Sequence, residues 1–183
     1  MSIMVHYSCK IVMLGEGSVG KTSLIRRYIQ HTFTHDYITT IGSNFLIKKL
    51  QLEEGTNMTM QVWDISGQDT FRTIRKQYYL YARGGIMVFD LTRTSTLHEL
   101  EKWYEDFTQR VGNVPLMLFG NKSDLKDQIT VQHEEGKAFA EKINAPYYET
   151  SALDGTGVEP GFLDLALKII ENIKSQPKKF APL

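Results

Sequence analysis

Gly15-Glu16-Gly17-Ser18-Val19-Gly20-Lys21-Thr22 fits the pattern G-x-x-x-x-G-K-[ST]. It stands between an apolar run, Cys9–Leu14, and a helical pattern, Lys21–Gln30. Strand, glycine loop and helix in that order make a cradle for phosphate. Glycines let the backbone close around an anion with its N–H groups inward. The helix presents its positive end to the same anion. Lys21 is expected to reach the β- and γ-phosphates of a nucleotide, and the Thr22 hydroxyl to ligate Mg²⁺. The competing reading is a glycine-rich turn, and the flanking strand and helix speak against it.

Outward from this loop, short apolar runs alternate with helical patterns. Cys9–Leu14 reads as a strand buried on both faces. Phe45–Leu52 and Met58–Asp64, joined by Glu53–Asn57, form the one hairpin signal; Met58, Met60 and Val62 alternate with Thr59 and Gln61. Gly85–Asp90, Val114–Gly120 and Pro146–Thr150 read as further strands. Ser95–Val111 places Leu97, Leu100, Tyr104, Phe107 and Val111 at helical offsets. Gln132–Ile143 also looks helical, as does Pro160–Lys174, where Pro160 suits a first turn. The order predicts an α/β fold of the P-loop type. Its sheet would have six strands, mostly parallel, with one antiparallel edge strand and helices on both faces. One domain is expected over residues 1–174, with a short tail at 175–183.

Composition narrows the classes. The chain has 183 residues, 42% hydrophobic and 23% charged, as in ordinary globular domains. A formal net charge of +0 gives no reason to expect nucleic-acid binding. The five histidines show no metal spacing. The single cysteine, Cys9, is expected as a small buried hydrophobe, which fits a reducing, cytoplasmic setting. No apolar run approaches the length of a membrane span. The N-terminus resembles neither a signal peptide nor a myristoylation site.

Two more segments carry chemistry. Asn121-Lys122-Ser123-Asp124 follows the apolar strand Val114–Gly120. A carboxylate there accepts two hydrogen bonds, from guanine N1–H and its exocyclic amine. Adenine offers no such donor pair and would leave Asp124 desolvated and unpaired. Trp63-Asp64-Ile65-Ser66-Gly67-Gln68 ends the second hairpin strand. Asp64 is placed to hold Mg²⁺ through water, Gly67 to bring its N–H to the γ-phosphate, and Gln68 to orient the attacking water.

With Thr39-Thr40-Ile41-Gly42 and Glu149-Thr150-Ser151-Ala152, these segments occur in the order and spacing of the nucleotide-binding motifs of the Ras superfamily of small GTPases. The resemblance spans about Lys10 to Ile173. Within that superfamily the chain is most similar to the Rab branch, in Thr40–Phe45, in Trp63–Asp69 and in the paired Tyr78-Tyr79. The resemblance implies that GTP or GDP is held by Gly15, Gly17, Ser18, Val19, Gly20, Lys21, Thr22, Ser23, Tyr37 and Gly67 around the phosphates. Around the base it implies Phe33, Asn121, Lys122, Asp124, Ser151, Ala152 and Leu153. It implies Thr22, Thr40 and Asp64 about Mg²⁺, with Gln68 and Lys21 catalytic. Phe45, Trp63 and Tyr78 resemble the aromatic triad by which Rabs meet effectors; plain core packing is the other reading of these three.

The resemblance therefore implies a guanine-nucleotide switch with slow hydrolysis and a vesicle-traffic role, served by exchange factors, activating proteins and effectors. A monomer is expected. No arginine in the matched motifs stands as an obvious finger in cis, so an activating protein is expected to raise the rate. The alternatives are a catalytically weak guanine-nucleotide scaffold or a soluble, non-prenylated relative of the prokaryotic type. Leu153 stands where the family usually has Lys, Asp69 where it has Glu, and Leu80-Tyr81 where it has Arg-Gly. Rabs end in prenylated cysteines, and no cysteine follows Cys9 here. Membrane attachment is expected only if a lipidated segment lies beyond Leu183.

Overall fold

The computed structural model describes residues 5–32, 43–53, 55–68 and 72–175. The elements run β1 (Val5–Leu14), α1 (Lys21–Gln30), β2 (Ser43–Glu53), β3 (Thr56–Ile65), α2 (Arg72–Tyr78), β4 (Ala82–Asp90), α3 (Thr94–His98), α4 (Leu100–Val111), β5 (Leu116–Asn121), α5 (His133–Lys142), β6 (Tyr147–Thr150) and α6 (Val158–Ser175). The sheet order is β2-β3-β1-β4-β5-β6. Only β2, at the edge, is antiparallel to its neighbour. This is the expected six-stranded sheet.

The unbroken apolar runs have a direct cause. β1 sends Ile11 and Met13 into one core and Val12 and Leu14 into a second. β4 divides Ile86 and Val88 from Met87 and Phe89 in the same way, and β5 divides Met117 and Phe119 from Leu116 and Leu118. Strands covered on both faces need apolar side chains at every position. The first core is closed by α1 and α6 through Leu24, Tyr28, Phe162, Leu165 and Ile169. The second is closed by α4 and α5 through Leu100, Trp103, Phe107 and Ala140. In β3, Met58, Met60 and Val62 are buried while Thr59 and Gln61 are only partly covered. There the sheet is packed on one face, which is why that stretch alternates.

The helix expected over Ser95–Val111 is interrupted at Glu99 and becomes α3 and α4. The first piece is tied to the end of β4: the Thr96 hydroxyl accepts the Asp90 N–H at 2.9 Å and donates to the Arg93 carbonyl at 2.7 Å. The second packs Leu100, Trp103 and Phe107 inward. Trp103, absent from the expected stripe, is buried, while Tyr104 and Val111 are half-buried. Cys9 is the buried hydrophobe expected, and burial pushes its thiol up to about 12.

Tyr81 follows α2 with φ +64° and is 87% exposed. A left-handed backbone at a residue with a Cβ costs roughly 1–2 kcal/mol, and glycine's extra freedom in the unfolded chain offsets part of that. Tyr81→Gly is therefore expected to stabilise the fold by about 0.5–1 kcal/mol, raising Tm by roughly 1–4 °C in a thermal melt of the two proteins under identical conditions. An unchanged or lower Tm would show that the tyrosine ring makes up for the strain.

Candidate functional site

The motif residues gather at the C-terminal ends of the parallel strands. The phosphate loop follows β1, Gly67 follows β3, Asp90 ends β4, Asn121 ends β5 and Ser151 follows β6. In open α/β sheets this edge is where ligands sit. The loop demands its glycines. Gly15 has φ +134°, and a Cβ there would lie 2.2 Å from the Val88 carbonyl oxygen. Gly20 has φ +98°, and a Cβ would lie 2.3 Å from Asn121 Nδ2. At Gly17 an added Cβ would meet nothing within 4 Å, so the loop is open on that side.

Lys21 opens α1 and is buried. Its Nζ donates to the carbonyls of Gly15 at 2.6 Å and Glu16 at 2.7 Å. Burial pulls its pKa down to about 8, against the opposing charges of Asp64 and Glu16, with Arg75 adding to the fall. Thr22 and Ser23 follow in the same first turn. The Thr22 hydroxyl donates to Asp64 Oδ2 at 2.5 Å. Two adjacent hard oxygen donors are of the kind Mg²⁺ takes, since it uses few protein ligands and keeps water and phosphate oxygens for the rest. Among the described residues no cluster of three His, Cys, Asp or Glu side chains forms a metal cage of its own.

Gly67 is packed onto the phosphate loop. A Cβ there would lie 2.3 Å from the Glu16 carbonyl carbon and 2.4 Å from the Gly17 nitrogen. Gln68, next along the chain, is exposed. Phe33, Tyr37 and Thr40 lie outside the described residues, as does Asp69.

The base-selecting segments meet across β5 and β6. Asn121 Nδ2 donates to the Val19 carbonyl at 2.9 Å, and its Oδ1 accepts the Ala152 N–H at 3.3 Å. One amide thus ties the phosphate loop to the loop after β6. Asp124 accepts the Ser151 hydroxyl at 2.6 Å. Ser151 Oγ also accepts the N–H groups of Leu153 and Asp154, each at 3.2 Å. Lys122, with φ +70°, places its Nζ 2.7 Å from Asp90 Oδ2. The side chain of Leu153, where the family usually has Lys, lies outward in a residue 41% exposed.

Four residues here had not been singled out in the sequence. Asp90 is wholly buried; burial alone would raise its pKa, but bonds from Lys122 and Thr92 outweigh it and hold the carboxyl below its usual range. Arg93 donates from Nε to Asp90 at 2.9 Å and from Nη2 to the Gly17 carbonyl at 3.1 Å. Trp103 Nε1 donates to Glu16 at 3.1 Å, and the Arg75 guanidinium stands 4.0 Å from the centre of its ring. Arg27 bonds the loop after β6. Asp90 had a signal, since it ends an apolar run just as Asp64 and Asn121 do. Nothing local marks the other three.

Phe45 stacks on Trp63 at 5.2 Å, and Trp63 lies 6.2 Å from Tyr78. Phe45 is 47% exposed. Trp63 and Tyr78 are half-buried and pack against the second core, so the three rings run from that core out to the surface at Phe45.

The sequence profile described as the Ras family matches residues 10–171. The chain is 39% identical to "GTP-binding protein YPT1" of Saccharomyces cerevisiae over 171 residues, 93% of this chain and 82% of that protein. It is 37% identical to "Ras-related protein RABD2a" of Arabidopsis thaliana, over 93% of this chain and 84% of that one. With "Ras-related protein Rab-21" of Homo sapiens it shares 39% identity, over 90% of this chain and 73% of the relative.

Proposed function

The chain belongs to the Ras family as a Rab-like small GTPase, and from that premise we propose how its own residues hold, read and hydrolyse GTP. The observation that carries the proposal is the double bond-set of Asn121, which joins the phosphate loop to the loop after β6 while Asp124 stands against Ser151. Phosphate and base are then held by one connected frame. Gly15–Gly20 wrap the phosphates with backbone N–H groups, and Lys21 transfers its Nζ from the loop carbonyls to the phosphate oxygens. Asp124 takes the guanine N1–H and amine, Ala152 and Leu153 bring backbone to O6, and Lys122 lies along the base, steadied by Asp90.

Thr22 and Asp64, with Thr40 as the expected third, would hold Mg²⁺, which supplies charge neutralisation at the β- and γ-phosphate oxygens. Gly67 brings its N–H toward the γ-phosphate only when its segment lies on the phosphate loop. Gln68 then orients water for in-line attack. Loss of the γ-phosphate removes what holds both switch segments, Tyr37–Gly42 and Gly67–Tyr79. The Phe45–Trp63–Tyr78 cluster, which reaches the surface at Phe45, offers that state to effectors, in the manner of a traffic regulator. No helix among the described residues is long and apolar enough to cross a membrane.

The test is competition between GDP and ADP for the purified chain, followed by single-turnover phosphate release from GTP with Mg²⁺. A strong preference for GDP and slow release are expected; a preference for ADP overturns the proposal. Gln68→Leu is expected to slow release about tenfold without an activating protein, with GDP affinity unchanged. Equal rates would remove Gln68 from the mechanism.

A further inference from the structure

Arg27 lies in the last turn of α1, the helix whose first residue is Lys21. Its Nε donates to the Ala152 carbonyl at 2.7 Å, one Nη to the Leu153 carbonyl, and the other to the His31 carbonyl at 3.4 Å. Charged donors to carbonyls are roughly twice as strong as neutral ones. His31 itself closes α1 with φ +54°, its N–H bonded to the Arg27 carbonyl at 3.1 Å. The guanidinium therefore fastens the far end of α1 to the loop that follows β6.

Within that loop the Ser151 carbonyl accepts the Gly155 N–H at 2.9 Å. Ser151 Oγ gathers the N–H groups of Leu153 and Asp154, and Asn121 holds the Ala152 N–H. These bonds set one edge of the loop, while the Arg27 bonds set the carbonyl edge. A peptide plane held on both its N–H and C=O sides has little freedom to rotate. The side chain of Leu153 brings no charge of its own to the base. Orientation of the backbone is what this loop can contribute.

We propose that Arg27 is a positioning residue of the base site, which fixes the Ser151–Leu153 backbone against guanine O6 and so sets how long the nucleotide stays bound. The proposal rests on the GTPase reading given above. It links the two ends of the site through one helix, with phosphates at its start and the base loop at its end. Lys21 and Arg27 both lie in α1, so the link spans about 9 Å along the helix.

The experiment compares the full chain with Arg27→Ala and Arg27→Lys, using GDP and the diphosphate of 6-thioguanosine, which keeps N1–H and the amine but carries sulfur, a weak acceptor, in place of O6. Arg27→Ala is expected to speed GDP release about tenfold. It should narrow the affinity gap between GDP and the 6-thio analogue by about the same factor. Arg27→Lys keeps a cation that reaches one carbonyl and is expected to recover part of both losses. General loosening of the fold would weaken both ligands equally and leave the gap intact. An intact gap, or unchanged GDP release in either variant that folds, overturns the proposal. If the unmodified chain itself shows no preference for GDP over ADP, the GTPase reading has failed instead.

Discussion

Asp124→Ala is expected to erase the chain's preference for guanine. On the proposed assignment the Asp124 carboxylate accepts from the donor pair of guanine, a pair that adenine lacks. A site built to hydrogen-bond a substrate rejects an analogue without those groups by about 10⁴-fold, because its own buried polar atoms are left unpaired. The structure adds a reason for a large effect. Ser151 holds Asp124 at 2.6 Å, and the same hydroxyl gathers two N–H groups of the loop after β6. Removing the carboxylate takes away both the contact to the base and the acceptor that orients Ser151. GDP affinity should fall by at least about 10³-fold while ADP affinity changes little, as read by competition with a fluorescent diphosphate. Retained selectivity would move base recognition elsewhere in the frame.

Gly67→Ala should separate binding from hydrolysis. An added methyl would lie 2.3 Å from the Glu16 carbonyl carbon and 2.4 Å from the Gly17 nitrogen. Both are backbone atoms of a loop fixed by Lys21 and Asn121, so the loop cannot give way. The segment carrying Gly67 and Gln68 must lift instead. A shift of about 1 Å in a positioning group costs roughly 10²-fold in rate. GTP hydrolysis should therefore fall about 10²- to 10³-fold, with GDP binding nearly intact because no base contact is touched. Single-turnover phosphate release beside GDP affinity checks this. Hydrolysis at the unmodified rate would mean that Gly67 leaves the loop before chemistry.

The sequence made the sheet legible because its burial is so uneven. Strands covered on both faces read as unbroken runs, and the half-covered β3 reads as an alternation. The break at Glu99 was not legible, since its residues keep a helical period on either side. The Thr96 hydroxyl ties α3 to the end of β4, six residues earlier. The site shows the same division. Lys21, Thr22, Asp64, Gly67, Asn121 and Asp124 declare themselves through motif and spacing, because contact with phosphate, metal and base permits few alternatives. Arg27, Arg93 and Trp103 reach the site from 125, 76 and 87 positions away in the chain. Long side chains that act at such distances leave no local pattern.

The placement of Trp103 has an optical consequence. Its indole N–H rests on a carboxylate of the phosphate loop and its ring faces an arginine carried by α2. The chain has two tryptophans, and the other, Trp63, is the half-buried ring between Phe45 and Tyr78. Indole emission follows the charge and water around the ring, and each tryptophan touches α2, part of the segment proposed to move with the γ-phosphate. Exchange of GDP for GTP is therefore expected to change the fluorescence of the unlabelled chain, with one signal from beside the phosphate loop and one from the Phe45–Trp63–Tyr78 cluster. Trp103→Phe and Trp63→Phe would let the two faces of the switch be timed separately.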